Sequence, residues 1–180
     1  MTRARGAVAL LAAARDAASS MEPLCRSLHA CGCATLCPAA RPGVAPAALS
    51  GGLVESLEWL RSRHPGLPLG VYGVAEGATA ALDAAASRPD LIDVLVVLAA
   101  DAPLAALPLG RVCAATLLVA GRDDAAQLAA HRRALPRLPG ARRLEIVPGA
   151  GDRADALAAQ AVAHLAAQWF AQRLPLRALH

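Results

Sequence analysis

Hydrophobic residues in this chain fall into short unbroken runs, separated by stretches in which they return every three or four positions. The runs are 6–13 (GAVALLAA), 33–37 (CATLC), 69–72 (LGVY), 91–100 (LIDVLVVLAA), 115–120 (ATLLVA) and 143–147 (RLEIV). Continuous runs of this length predict strands covered on both faces. Between them the helical beat predicts a helix over 21–30, with Leu24 and Leu28 on one face and Gly32 ending it. A second helix is expected over 53–63, with Leu53, Leu57 and Leu60 inward and Glu55, Glu58 and Arg61 outward. Further helices are expected over 76–87, from the GRDD turn at 121–124 to about 138, and over 153–174. Residues 15–20 read as a polar break. The stretch 38–46 (PAARPGVAP) has three prolines and a glycine, which exclude helix and central strand and predict a surface loop.

Six strands alternating with helices predict one α/β domain over 1–180, with its core at about 6–174. The expected architecture is a three-layer sandwich without a cap domain: a mostly parallel six-stranded sheet, helices on both faces and right-handed crossovers. Ligands of such sheets bind beyond the carboxyl ends of the strands. The turn after 69–72, the GRDD turn and the PGAGD loop at 148–152 all fall at such ends, so three loops distant in sequence should meet.

Composition narrows the core. Apolar residues make up 56% of the chain but Phe, Tyr and Trp only 2%, so Ala, Leu and Val must fill the interior and helices must approach the sheet closely. All 18 basic residues are Arg, a bacterial-type GC-rich signature that also excludes a Schiff-base lysine. The net charge of +4 is spread from Arg3 to Arg177, with short clusters at Arg132, Arg133, Arg137 and at Arg142, Arg143. Aromatic residues do not interleave with them, so a solvated surface is expected and not a nucleic-acid interface. No run is long enough to cross a membrane, and the N-terminus reads as a strand and not as a signal peptide, so a cytoplasmic protein is expected. Four of the five cysteines, Cys25, Cys31, Cys33 and Cys37, cluster as C-x5-C-x-C-x3-C, which lacks the paired C-x-x-C knuckles of a zinc site. Cys33 and Cys37 are expected on a strand as small core hydrophobes, and no metal is expected.

Candidate chemistry centres on 69–82 (LGVYGVAEGATAAL), an apolar strand entering a turn between Gly73 and Gly77 and leaving as an Ala-rich helix. G-x-S-x-G turns of this kind present a nucleophilic serine above a sheet. Here the middle residue is Ala75. Glu76 follows it at the start of a helix, where the helix dipole favours its charge. Glu76, Asp123 and Asp152 could form a carboxylate cluster, but Asp152 is more simply read as the cap of the last helix, accepting from Asp155 or its neighbour. His29 and His164 fall in helices, His64 at a helix end and His180 at the terminus. His131 falls in the helix after GRDD and is expected at the surface. Cys113 precedes the fifth strand, at the wrong end of the sheet for the site. The spacing of Gly70, Gly73 and Gly77 is not that of a dinucleotide-binding loop, and no cofactor is expected.

These segments, taken in order, resemble an α/β-hydrolase of the dienelactone-hydrolase-like group: GVAEGATAALDAAASRPD, an apolar strand, ATLLVAGRDD, RLEIVPGAGD, and a closing helix ending QWFAQRL. The resemblance covers about 6–174. It implies a Ser, Asp and His in that chain order; the corresponding positions are Ala75, Asp123 or its neighbour Asp124, and Asp152. It also implies a His-Gly pair after the first long strand, where this chain reads LLAAARD. An alanine methyl cannot attack a carbonyl, and a carboxylate accepts a hydroxyl proton less readily than an imidazole. The expectation is therefore a catalytically degenerate hydrolase-like protein, a pseudoenzyme with a binding or interaction role. The alternative is an active hydrolase of a small ester or lactone, with a rearranged site assisted by carboxylates or a metal. A small-molecule ligand at the strand ends is expected. The strand at 33–37 would lie at a sheet edge needing cover by a homodimer or partner chain.

Overall fold

The structure, a computed structural model, describes residues 4–12, 17–38, 44–100, 104–150 and 155–174. Six parallel strands lie in the order β2-β1-β3-β4-β5-β6. They are β1 (Gly6–Ala12), β2 (Cys33–Leu36), β3 (Leu69–Val74), β4 (Val94–Leu98), β5 (Ala115–Gly121) and β6 (Arg142–Val147). Among the described residues five α-helices connect and cover them: α1 (Ala17–Ala30), α2 (Pro46–Arg63), α3 (Glu76–Ser87), α4 (Ala125–Ala134) and α5 (Ala156–Arg173).

The sheet has two dry faces because the central strands are apolar at nearly every position, and successive residues point to opposite sides; the exception, Thr116 of β5, is buried with its hydroxyl donating to the Ala114 carbonyl. One core joins Ala9, Leu11, Val71, Leu95 and Val97 to Leu53 and Leu57 of α2 and to the alanines of α3. The other joins Val8, Leu10, Tyr72, Val94 and Val96 to Leu24 and Leu28 of α1 and to Val162, Ala166 and Phe170 of α5. The scarcity of aromatics has the expected consequence. Nine of the twelve residues of α3 are buried, none larger than leucine, so this helix lies directly against the strands. On the other face Phe170 rests on Gly70, where an added Cβ would come within 2.6 Å of the ring.

Element boundaries depart from expectation in several places. α2 begins at Pro46 and not at 53, because a proline at the first helical position already has the required φ and its missing N–H would have had no helical partner. Leu49 then joins Leu53 and Leu57 on one buried stripe, while Gly51 and Gly52 face open space. α1 begins at Ala17, within the stretch read as a break, which leaves Pro23 inside the helix. β4 is shorter than its apolar run. Ahead of it, Asp93 exchanges bonds with Leu69: each backbone N–H donates 2.8 Å to the other residue, from Asp93 to the Leu69 carbonyl and from Leu69 to the Asp93 carboxylate. Behind it, Ala99 turns the chain with φ 54°. α4 stops at Ala134 and tightens into a 3-10 turn, Leu135–Arg137, that contains Pro136.

Among the cysteines, Cys33 is buried as expected, but Cys37 lies just past β2 and is exposed. The four-residue strand ends before reaching it, so it does not fill the core. His131 is the reverse case. It is fully buried, not at the surface, because α4 turns that side of its short barrel onto β5 and the Leu104–Ala106 turn.

Candidate functional site

The turn between β3 and α3 has the geometry that its sequence implies. Ala75 adopts φ 53° and ψ −119°, a backbone region that residues with a β-carbon rarely enter. Its N–H donates to the carbonyl of Leu98 at the end of β4, 3.0 Å away, and its carbonyl accepts from Ala78 N–H at 3.0 Å, opening the helix. The two glycines are required by close approach. A Cβ on Gly73 would sit 2.6 Å from the Gly77 carbonyl oxygen, and one on Gly77 would run into the Leu11 carbonyl oxygen at the end of β1. The chain therefore turns sharply between β1 and β4, leaving Ala75 half-buried at the rim and Glu76 exposed in the first turn of α3.

Neighbouring strand ends continue this rim. Ala99 N–H reaches the Val119 carbonyl, and Gly121 pairs with Val147. A Cβ on Gly121 would collide with the carbonyl of Ala150, so the GRDD turn and the loop after β6 touch. With strands spaced about 4.8 Å apart, the end of β5 lies roughly 10 Å from the elbow along the rim. The three expected loops thus come to one end of the sheet. Asp123 is exposed there. Asp124 caps α4, its carboxylate accepting from Gln127 N–H at 2.8 Å, which gives it a structural role. Asp152 lies outside the described residues. The cap of α5 is Asp155, whose carboxylate accepts from Ala158 N–H at 2.8 Å. Among the described residues no group of three or more His, Cys, Asp or Glu side chains could hold a metal ion.

Two features of α4 and the turn that follows it had no clear signal in the sequence. Arg137 donates to the carbonyls of Leu104, Ala105 and Leu107 at 2.8–3.1 Å, tying the end of α4 to the segment that follows β4. His131 has both ring nitrogens buried without hydrogen-bond partners. Burial pulls it down to about 4, with the Asp124 carboxylate pushing weakly the other way, so its imidazole is neutral at physiological pH. Three surface cavities are lined by residues away from the elbow. One of about 440 Å³ lies between α1 and α5 beside Arg26, Ser27 and His164, and one of about 310 Å³ lies beside Leu36, Glu55 and Trp59. A third, of about 40 Å³, lies between α5 and β6.

The fold is shared with solved structures. A dienelactone hydrolase from Anabaena variabilis superposes with a TM-score of 0.82 at 28% identity, over 96% of this chain and 88% of that one. The chain carries the α/β-hydrolase fold. A cold-adapted esterase from an Arctic intertidal metagenomic library shares the fold at TM-score 0.77 and 17% identity, over 97% of this chain and 85% of that one. So does a hydrolase from Thermoplasma acidophilum at 0.74 and 15%, over 93% and 87%. No protein-family model matches the sequence. Two Mycobacterium tuberculosis proteins, from strains CDC 1551 and H37Rv, are each 35% identical over 129 residues. Both are provisionally named phosphoribosyl transferase. The match covers 70% of this chain but 29% of each relative, so the hydrolase fold here corresponds to under a third of their length. No helix among the described residues is long and apolar enough to cross a membrane.

Proposed function

We propose that this chain is a non-hydrolytic α/β-hydrolase-fold module that uses the strand-end rim for binding. In longer proteins it would accompany a phosphoribosyl-transferring portion. The observation that carries the proposal is Ala75 at the apex of a complete elbow, with the strained φ 53° retained. The elbow that would aim a nucleophile is in place without the atom that would react. Asp152 at the position of the expected imidazole supports the same conclusion, since it is acceptor-only when ionised and weakly basic. Asp124, one of the two candidates for the acid, is engaged as a helix cap. The occupant of the rim would be a small molecule. The β2 edge would be covered by a second copy or a partner chain, and the protein would act in the cytoplasm.

The test is turnover of p-nitrophenyl acetate and butyrate. The unaltered chain and Ala75→Ser should both show none above background, because a serine hydroxyl without an imidazole remains protonated. Ala75→Ser combined with Asp152→His should gain measurable turnover and labelling by a fluorophosphonate probe. Serine-esterase rates in the unaltered chain would overturn the proposal. A stoichiometric divalent ion that is lost on Asp152→Ala, together with activity, would replace it with metal-assisted hydrolysis.

A further inference from the structure

The thiol cluster at the β2 edge is not used by the rim. α1 runs back into β2 through a tight turn at Gly32, φ 77°, so helix and strand lie side by side in opposite directions. One hydrogen bond fixes their register: His29 Nε2 and Thr35 Oγ1 are 2.9 Å apart. From that point, one helical turn back along α1 reaches Cys25, about 6 Å away. Two residues forward along the strand direction reach Cys37, about 6.6 Å away in the same sense. Residues four apart on a helix share a face, and the chain continues past the end of β2 in the strand direction, so Cys25 and Cys37 come to the same level of the seam between α1 and the sheet edge.

Side-chain surroundings agree with this register. The strand turns Cys33 into the core shared with Leu24 and Leu28, while Leu36, on the alternate side, lines the cavity beside Trp59 of α2. The Cys25 thiol is pushed up first by burial and next by the Cys37 thiolate, and is pulled down by a hydrogen bond from Thr35. Both cysteines are free; Cys37 is exposed and Cys25 half-buried.

The geometry points to Cys25 and Cys37 as a dithiol pair that closes to a disulfide by exchange with a small-molecule disulfide, RSSR. The exposed Cys37 thiolate attacks one sulfur of RSSR, forming a mixed disulfide and releasing RS⁻. Cys25 then gives its proton to solvent, and its sulfur attacks the Cys37 sulfur, releasing the second RS⁻. Both RS⁻ groups take up protons. Two protein S–H bonds and one S–S bond are exchanged for one protein S–S bond and two R–S–H. The two cysteines are oxidised and RSSR is reduced. Thr35 acts as a positioning residue, its hydroxyl holding the Cys25 sulfur and favouring its thiolate. The closed bond would fasten α1 to the end of the exposed edge strand.

The test treats the folded chain with oxidised glutathione, then alkylates free thiols and maps the peptides by fragmentation mass spectrometry. The expected result is a Cys25–Cys37 link with no glutathione retained and an unchanged far-UV circular dichroism spectrum. Cys25→Ser should trap a lasting glutathione adduct on Cys37, and the exposed-site variant Cys37→Ser should leave Cys25 alkylatable. Thr35→Val should slow closure several-fold while leaving the first step unchanged. A link from Cys25 to Cys31 or Cys33, a glutathione adduct that persists on Cys37 in the unaltered chain, or no reaction at all would each overturn the proposal.

Discussion

Ala75 holds a backbone conformation that costs a residue with a β-carbon about 1–3 kcal/mol. Glycine adopts it freely but gives up about 0.5–1 kcal/mol of unfolded-chain entropy. Ala75→Gly should therefore raise stability by about 1 kcal/mol, read as a higher urea midpoint at constant m. His131 makes a second prediction at this scale. Its folded value of about 4 lies below the ordinary 6.5, so the unfolded chain takes up a proton first as pH falls. Stability is unaffected by this group above pH 6.5 and is lost between about 6.5 and 4, on the order of 3 kcal/mol in all. Urea unfolding at pH 7.5 and 5 should show the loss, and His131→Leu should flatten it. The sequence concealed this burial. His131 stands between Ala130 and Arg132, and polar neighbours on a short helix say little about which side meets the sheet.

Among the elements, the elbow was the most legible, because its sequence signals are steric. Gly73 and Gly77 are fixed by backbone atoms that leave no room for a side chain, and such a constraint shows directly as a residue type. Gly77→Ala should cost more than about 3 kcal/mol or prevent folding, since the obstacle is the Leu11 carbonyl and not a mobile side chain. Helix starts were less legible because several acidic residues compete for one cap. Asp152 and Asp155 both precede the closing helix, and only the chain's path selects Asp155. Replacing Asp155 with Ala should lower stability by about 1 kcal/mol, as loss of a cap does, and Asp124→Ala should act similarly through α4. The start of α2 was misplaced because proline was read as a breaker, although at the first turn it serves as an initiator. The Arg137 bonds had no sequence signal, since their acceptors are main-chain carbonyls some thirty residues away.

Over the whole molecule, the two cores meet only through the sheet, and the strands between them are buried on both faces. β3 and β4 amides should therefore exchange with solvent only on global unfolding, while β2, with four residues and one partner strand, should exchange through local opening. Hydrogen exchange followed by mass spectrometry separates the two. The fold class was legible because α/β alternation is a property of the full chain and survives local misplacement of boundaries. The candidate site was legible as a place and not as a chemistry. Loops that meet are dictated by topology, whereas reactivity depends on single side chains.

The two borders of the sheet differ in kind. β6 carries Arg142, Arg143 and Glu145, the last two ion-paired, and charge along an edge discourages a second sheet from adding to it. β2 has no charged residue among Cys33, Ala34, Thr35 and Leu36, so its open main-chain groups are undefended against strand-to-strand growth. Concentrated solutions should consequently self-associate from that side alone, and an arginine in place of Ala34 should suppress the light scattering that reports it.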